Sequence, residues 1–335
     1  MRGFWIAFPC IVMASSALAQ GIAPTANPAV PPPVEEALTE PSDVQSDIQY
    51  DRTSRMTLPV TVNGHSKAEF LVDTGSERTV VSDELATALG LPRGQSVRIS
   101  GTVGSTVAST AHIDSLDFTN ISLGQFTAPL LKRADLGAEG LIGIDSLQKK
   151  LVVFDFDNER MEIKENKRRN VQSIATDDEI VVTARNRLGR LVFTKASLDG
   201  ITVTVIIDSG SQYSIGNPAL LAKLEKKRKF NMAMVTLHSV TGQKMVVPVA
   251  KAKHLEIGKM ALEGVPLAFV DSPAFHTLEL TEKPALLLGM NSLRAFRRVE
   301  VDFTNRSVRF FSPDGAALQP KSRYASRETG SASLQ

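Results

Sequence analysis

Residues 70–82 read FLVDTGSERTVVS, an apolar triplet running straight into Asp73 and then into the small turn Thr74-Gly75-Ser76. Taken alone the stretch is ambiguous, because strands end somewhere and Asp with Gly is ordinary turn chemistry. The ambiguity lifts 135 residues further on, where VIIDSGSQYSIG (205–216) repeats the triplet, the acid, the hydroxyl, the glycine and the second hydroxyl in order. Thr79 then matches Ser214, Val80 matches Ile215 and Leu85 matches Leu220. GLIGIDSL (140–147) matches LLLGMNSL (286–293), with Gly143 opposite Gly289, and FDFDNERMEI (154–163) matches VDFTNRSVRF (301–310), with Asp155 opposite Asp302. Those later pairs lie 146 and 147 residues apart, so matching order is kept across about one hairpin of insertion, the mark of an internal duplication.

Short runs of Val, Ile, Leu and Thr, separated by turn signals at Asn63-Gly64, Asp199-Gly200 and Thr241-Gly242, predict hairpins and an all-β fold. Helices are predicted only briefly. Ser82 can cap DELATALG, with Leu85 and Leu89 on one face and Gly90 as the stop, and Asn217 followed by Pro218 can cap ALLAKLEK.

The 335 residues, 42% of them apolar, are enough for two cored domains. Against 38 basic residues stand 36 acidic ones, a net charge of +2 that gives no field for steering nucleic acid. The N-terminus carries Arg2, the apolar run FWIAFPCIVMA and then SSALAQ, the pattern of an export signal cleaved before Gln20. That run is shorter than the roughly 20 residues of a membrane span, so no span is expected in the mature chain. Cys10 and Trp5 both fall in the removed segment, which leaves the mature chain without a thiol. A cysteine nucleophile, a thiolate zinc site and disulfides are thereby excluded. The predicted layout is a signal peptide (1–19), a Pro-rich tether (20–47), one lobe (48–166), a basic connector (167–176), a second lobe (177–311) and a tail (312–335).

The repeated Asp-hydroxyl-Gly-Ser motif resembles that of the retropepsin-like aspartic proteases, in particular exported bacterial forms with two fused copies of the fold. The resemblance covers residues 48–311. It implies two β-lobes about a pseudo-two-fold axis, each with one or two short helices, and a cleft for an extended polypeptide. It also implies one catalytic acid from each lobe, Asp73 and Asp208. Two carboxyl groups held together cannot both ionise cheaply, so they share a proton and titrate as a unit. The ionised member then takes a proton from water while the protonated one donates to the scissile carbonyl, with no metal or cofactor required.

In that reading Gly75 and Gly210 let the two loops approach, and the Thr74 and Ser209 hydroxyls bond across the axis. Ser76 and Ser211 are expected to donate to the outer carboxylate oxygens, lowering the first step of the pair toward acidic pH. Flap hairpins are expected at ISGTVGSTVAS, with Gly101 and Gly104, and at LHSVTGQKMVV, with Gly242; no Tyr stands at either tip. Glu77, Gln212 and Tyr213 are candidate substrate contacts. The five histidines, 65, 112, 238, 254 and 276, lack ligand spacing, and neither a Gly-x-Ser-x-Gly elbow nor a His-Glu-x-x-His helix is present. Two rivals stay open: an inactive peptide-binding or scaffold module of the cell envelope, and a homodimer pairing lobes between chains rather than a monomer acting as a pseudo-dimer.

Overall fold

Three consecutive apolar residues need cover on both faces, and Phe70, Leu71 and Val72 obtain it inside a ten-stranded sheet. Their strand, Ala68–Val72, is antiparallel to Met56–Val62 and parallel to Gly140–Ile142. Gly140–Ile142 runs antiparallel to Val80–Ser82, which is itself parallel to Phe126–Leu131. The second half repeats this scheme in an eight-stranded sheet. There Ile201–Ile207 is antiparallel to Arg190–Leu198 and parallel to Ala285–Leu288, which is antiparallel to Ser214–Gly216, itself parallel to Met260–Phe269. Arg190–Leu198 also pairs with Lys244–Ile257 and so closes this sheet into a barrel. The duplicated sequence is therefore a duplicated topology, and the fold is mostly β, built as two similar lobes.

The computed structural model describes residues 46–47, 49–50, 56–65, 67–168, 179–227, 229 and 232–312. The signal-like segment, all but the end of the tether, most of the connector and nearly all of the tail lie outside the described residues. Ser46–Asp47, read from sequence as tether, pairs with Arg160 and Met161 at a sheet edge. No helix among the described residues is long and apolar enough to cross a membrane.

Both predicted caps form. The Ser82 hydroxyl accepts from Leu85 N at 3.0 Å to start Asp83–Ala88, and Asn217 Oδ1 accepts from Leu220 N at 2.9 Å to start Pro218–Lys227. Each half also has two single-turn or slightly longer helices, Arg133–Leu136 with Ile144–Leu147 and Pro273–Thr277 with Met290–Leu293, too short to leave a periodic signal.

A six-stranded sheet draws strands from both halves. At its centre Lys150–Asp155 pairs antiparallel with Arg298–Asp302, from Leu151 opposite Asp302 to Asp155 opposite Arg298. Alternate residues, among them Val152, Phe154, Val299, Val301 and Phe310, bury into a core continuous between the halves. Two long hairpins reach the other way. The Arg93–Ser100 and Ser105–Ile113 hairpin sends Val103 into the apolar cluster of the second half, beside Val192, Ile206 and Leu237. In return the tip between Ala233–His238 and Lys244–Ile257 lays Val240 on the first half's cluster of Leu71, Val80 and Leu141. The crossed tips are tied by Gln243 Nε2 donating to Ser105 O at 3.1 Å.

Candidate active site

Each strand that opens a repeat ends one residue before an aspartate, and the last bond of its parallel ladder fixes that residue. Asp73 N donates to Ile142 O at 2.9 Å, and Asp208 N donates to Leu288 O at 3.1 Å. Behind each turn the same brace recurs. Thr79 Oγ1 and N donate to Asp145 Oδ1 at 2.7 and 2.9 Å, while Gly143 N donates to Thr79 Oγ1 at 3.1 Å. In the second half Ser214 Oγ and N both donate to Asn291 Oδ1 at 2.9 Å, and Gly289 N donates to Ser214 Oγ at 3.0 Å. Gly143 and Gly289 are required because an added Cβ would overlap the backbone of Arg78 and Tyr213 respectively.

The two turns then interlock across the pseudo-axis. Thr74 Oγ1 donates to Ile207 O at 3.1 Å and accepts from Ser209 N at 3.1 Å. Reciprocally, Ser209 Oγ donates to Val72 O at 2.8 Å and accepts from Thr74 N at 3.1 Å. Both side chains are fully buried. A Cβ on Gly75 would overlap the Asp208 carboxylate, and one on Gly210 would overlap that of Asp73. With that space empty, each carboxyl group packs against the glycine of the other's turn, close enough for the charge of Asp73 to act on Asp208.

Their surroundings differ. Asp73 Oδ1 accepts from Gly75 N at 2.7 Å and Ser76 N at 2.9 Å, two donors that favour a carboxylate. Asp208 is buried, and its carboxyl is pushed up to about 7, first by burial and then by the charge of Asp73. The Arg190 guanidinium and the Gly210 N–H pull the other way.

Residues 58–149 match the family model of the gag-polyprotein aspartyl proteases, and residues 194–292 match that of the aspartyl proteases. The chain belongs to the retropepsin-like aspartyl proteases, with two such domains in tandem. No curated protein matches it.

In this tandem aspartyl protease a cleft of about 260 Å³ lies over the carboxyl pair, lined from both halves by Gly75, Glu77, Arg190, Gly210 and Ser272 among others. Of the predicted substrate contacts and flap glycines, Glu77 lines it. Gln212 and Tyr213 do not, and Gly104 and Gly242 sit at the crossed hairpin tips against Gln243 and Asp135. From the first hairpin tip it is Gly101 that reaches the cleft. The serine hydroxyls also differ from expectation: Ser76 Oγ donates to Arg78 O at 2.9 Å and Ser211 Oγ to Tyr213 O at 2.8 Å. A carbonyl two residues on is the nearer acceptor for a turn serine, so Asp73 is served by backbone amides instead.

Sequence reasoning missed Arg190, Asp145 and Asn291. The last two lie in the aligned blocks GLIGIDSL and LLLGMNSL, where an acid facing its isosteric amide was the available signal. Arg190 carried none.

The interlock has a measurable weight. Thr74→Val strands the Ile207 carbonyl and the Ser209 N–H in a buried place, and each orphaned group costs about 1–3 kcal/mol. Urea unfolding is expected to show a loss of about 3 kcal/mol for Thr74→Val, against under about 0.5 kcal/mol for Ser76→Ala at the exposed turn. Equal effects at the two positions would mean that the cross-axis bonds contribute nothing beyond packing.

Proposed function

We propose that the chain is an exported aspartic endopeptidase that cleaves extended polypeptides with a water activated between Asp73 and Asp208. The observation that carries this reading is the juxtaposition of two carboxyl groups from separate halves, each packed against the glycine of the other's turn, with one held by amide donors and the other pushed up to about 7, first by burial. In the proposed cycle the Asp73 carboxylate removes a proton from water as the water oxygen bonds to the scissile carbonyl carbon. The proton on Asp208 passes to the carbonyl oxygen, which gives a neutral gem-diol. Collapse of the diol breaks the C–N bond, the amide nitrogen takes a proton from Asp73, and a diol hydroxyl returns one to Asp208. The products are a carboxylic acid and an amine, and the pair is reset.

Export is proposed from the N-terminal sequence pattern. Action as a single chain is proposed because one polypeptide supplies both acids and a six-stranded sheet that draws strands from both halves.

The test is cleavage of an unfolded polypeptide mixture by the chain beginning at Gln20, followed from pH 3 to pH 9. Activity is expected to fall above about pH 7 as Asp208 loses the proton it donates. Folded protein that cleaves nothing across the range, or whose rate is flat from pH 5 to pH 9, would overturn the proposal.

A further inference from the structure

A buried cation in a protease cleft needs partners, and those of Arg190 lie in the other half of the molecule. Arg190 opens the strand Arg190–Leu198 of the second half, and its side chain is only 8% exposed. Its Nε donates to Gly75 O at 2.8 Å, and its NH1 donates to Glu77 Oε1 at 2.9 Å. Both acceptors belong to the first half's turn, one on each side of Ser76.

The geometry of the first contact matters most. Gly75 C=O and Ser76 N–H are two ends of the same planar peptide unit. The guanidinium pulls on one end while the other donates to Asp73 Oδ1 at 2.9 Å. Hydrogen bonds chained through one amide polarise it and strengthen each other. A fixed positive charge at one end therefore reinforces the donor at the other.

We propose that Arg190 is a positioning residue that sets the pH window of the carboxyl pair, by polarising the Gly75–Ser76 peptide that holds Asp73 and by placing a permanent positive charge beside Asp208. The pull of Arg190 on Asp208 toward the ionised state has the same sense. The other charged groups on the cleft are Glu77, which shares the Arg190 charge, and Arg78 and Arg98 on the first half. Arg78 is paired with Asp145 at 3.7 Å, and Arg98 donates to Ser105 Oγ at 3.2 Å. Arg190 is thus the cation hydrogen-bonded directly to an aspartate-bearing turn. At the position matching Glu77 the second half has Gln212, an uncharged amide.

The significance for turnover rests on the hydrolytic reading above, whereas the titration itself does not. The experiment therefore reads the aspartate carboxyl carbons by ¹³C NMR from pH 2 to pH 9, without substrate, beside the pH profile of kcat/KM. In Arg190→Met both steps of the pair are expected to move up by about one pH unit, the usual scale for losing a neighbouring opposite charge. Arg190→Lys returns the steps toward the parent values, yet kcat stays about tenfold down because one ammonium cannot serve Gly75 O and Glu77 in the fixed fork. Glu77→Gln moves both steps down, since it frees the Arg190 charge for the pair.

Steps unmoved in folded Arg190→Met, or not restored by lysine, would refute the proposal. If Arg190→Met does not fold, Glu77→Gln decides: an unmoved titration there overturns it. A protein that titrates as expected but cleaves nothing would overturn the proposed function and leave this inference standing.

Discussion

Asp208→Asn is expected to lose at least about a thousandfold in cleavage, within the range for removing a general acid, and yet to be more stable than the parent at neutral pH. The two effects share one cause. The folded carboxyl is raised to about 7 from an ordinary 3.8, so between those values the unfolded chain releases a proton that the folded chain keeps. Stability of the parent therefore declines as pH rises through that window and levels off above it. At about 1.4 kcal/mol per unit, the penalty above pH 7 amounts to a few kcal/mol. Asparagine resembles the protonated acid and does not ionise, so the variant escapes that decline. Thermal melts at pH 3.5 and pH 8 check this: the variant's Tm gain should appear at pH 8 and largely vanish at pH 3.5. Asp73→Asn should be equally inactive, with a different stability pattern, because it removes the charge that helps to raise Asp208. An Asp208→Asn protein with near-parental activity would end the assignment.

Gly210→Ala is expected to cost at least about a hundredfold in cleavage, since displacing reacting groups by about 1 Å commonly costs that much. The new methyl would overlap the Asp73 carboxyl, which is held by two amide donors and has nowhere to retreat without breaking them. Gly75→Ala presents the mirror-image collision with Asp208. Overpacking of this kind also destabilises by about 1–3 kcal/mol. Gly124→Ala, where an added Cβ meets nothing within 4 Å, is the matched control and should keep parental activity and stability. Activity retained by both Gly75→Ala and Gly210→Ala would show that the carboxyl groups need not touch for the chain to work.

Much of this site is visible in sequence because it is built twice. The repeat around Asp73 and Asp208 foretold both the shared topology and the meeting of the two acids, since duplicated strands that end alike pack alike about a common axis. Ser82 and Asn217 were legible because capping is local chemistry. Arg190 was not, because its meaning depends on Gly75 and Glu77 lying across the cleft, more than a hundred residues away along the chain. Val103 and Val240 look like ordinary hairpin residues until the tips are seen to exchange cores. At Ser76 the hydroxyl has two nearby acceptors, and sequence does not weigh one against the other.

The sheet shared by the two halves also bears on when during biosynthesis such a hydrolase could first act. Its central partner strand, Arg298–Asp302, and the neighbouring Ser307–Phe311 come close to the end of the described chain, and the latter pairs with Glu179–Thr183 on its other side. Contacts spanning some 130 to 150 residues form slowly, because long loops must close first. A nascent polypeptide halted before Arg298 holds both acids but lacks two of the second half's strands in the sheet that the halves share. Completion of the shared sheet therefore waits on strands made well after both acids, and any activity that needs the two halves held together waits with it.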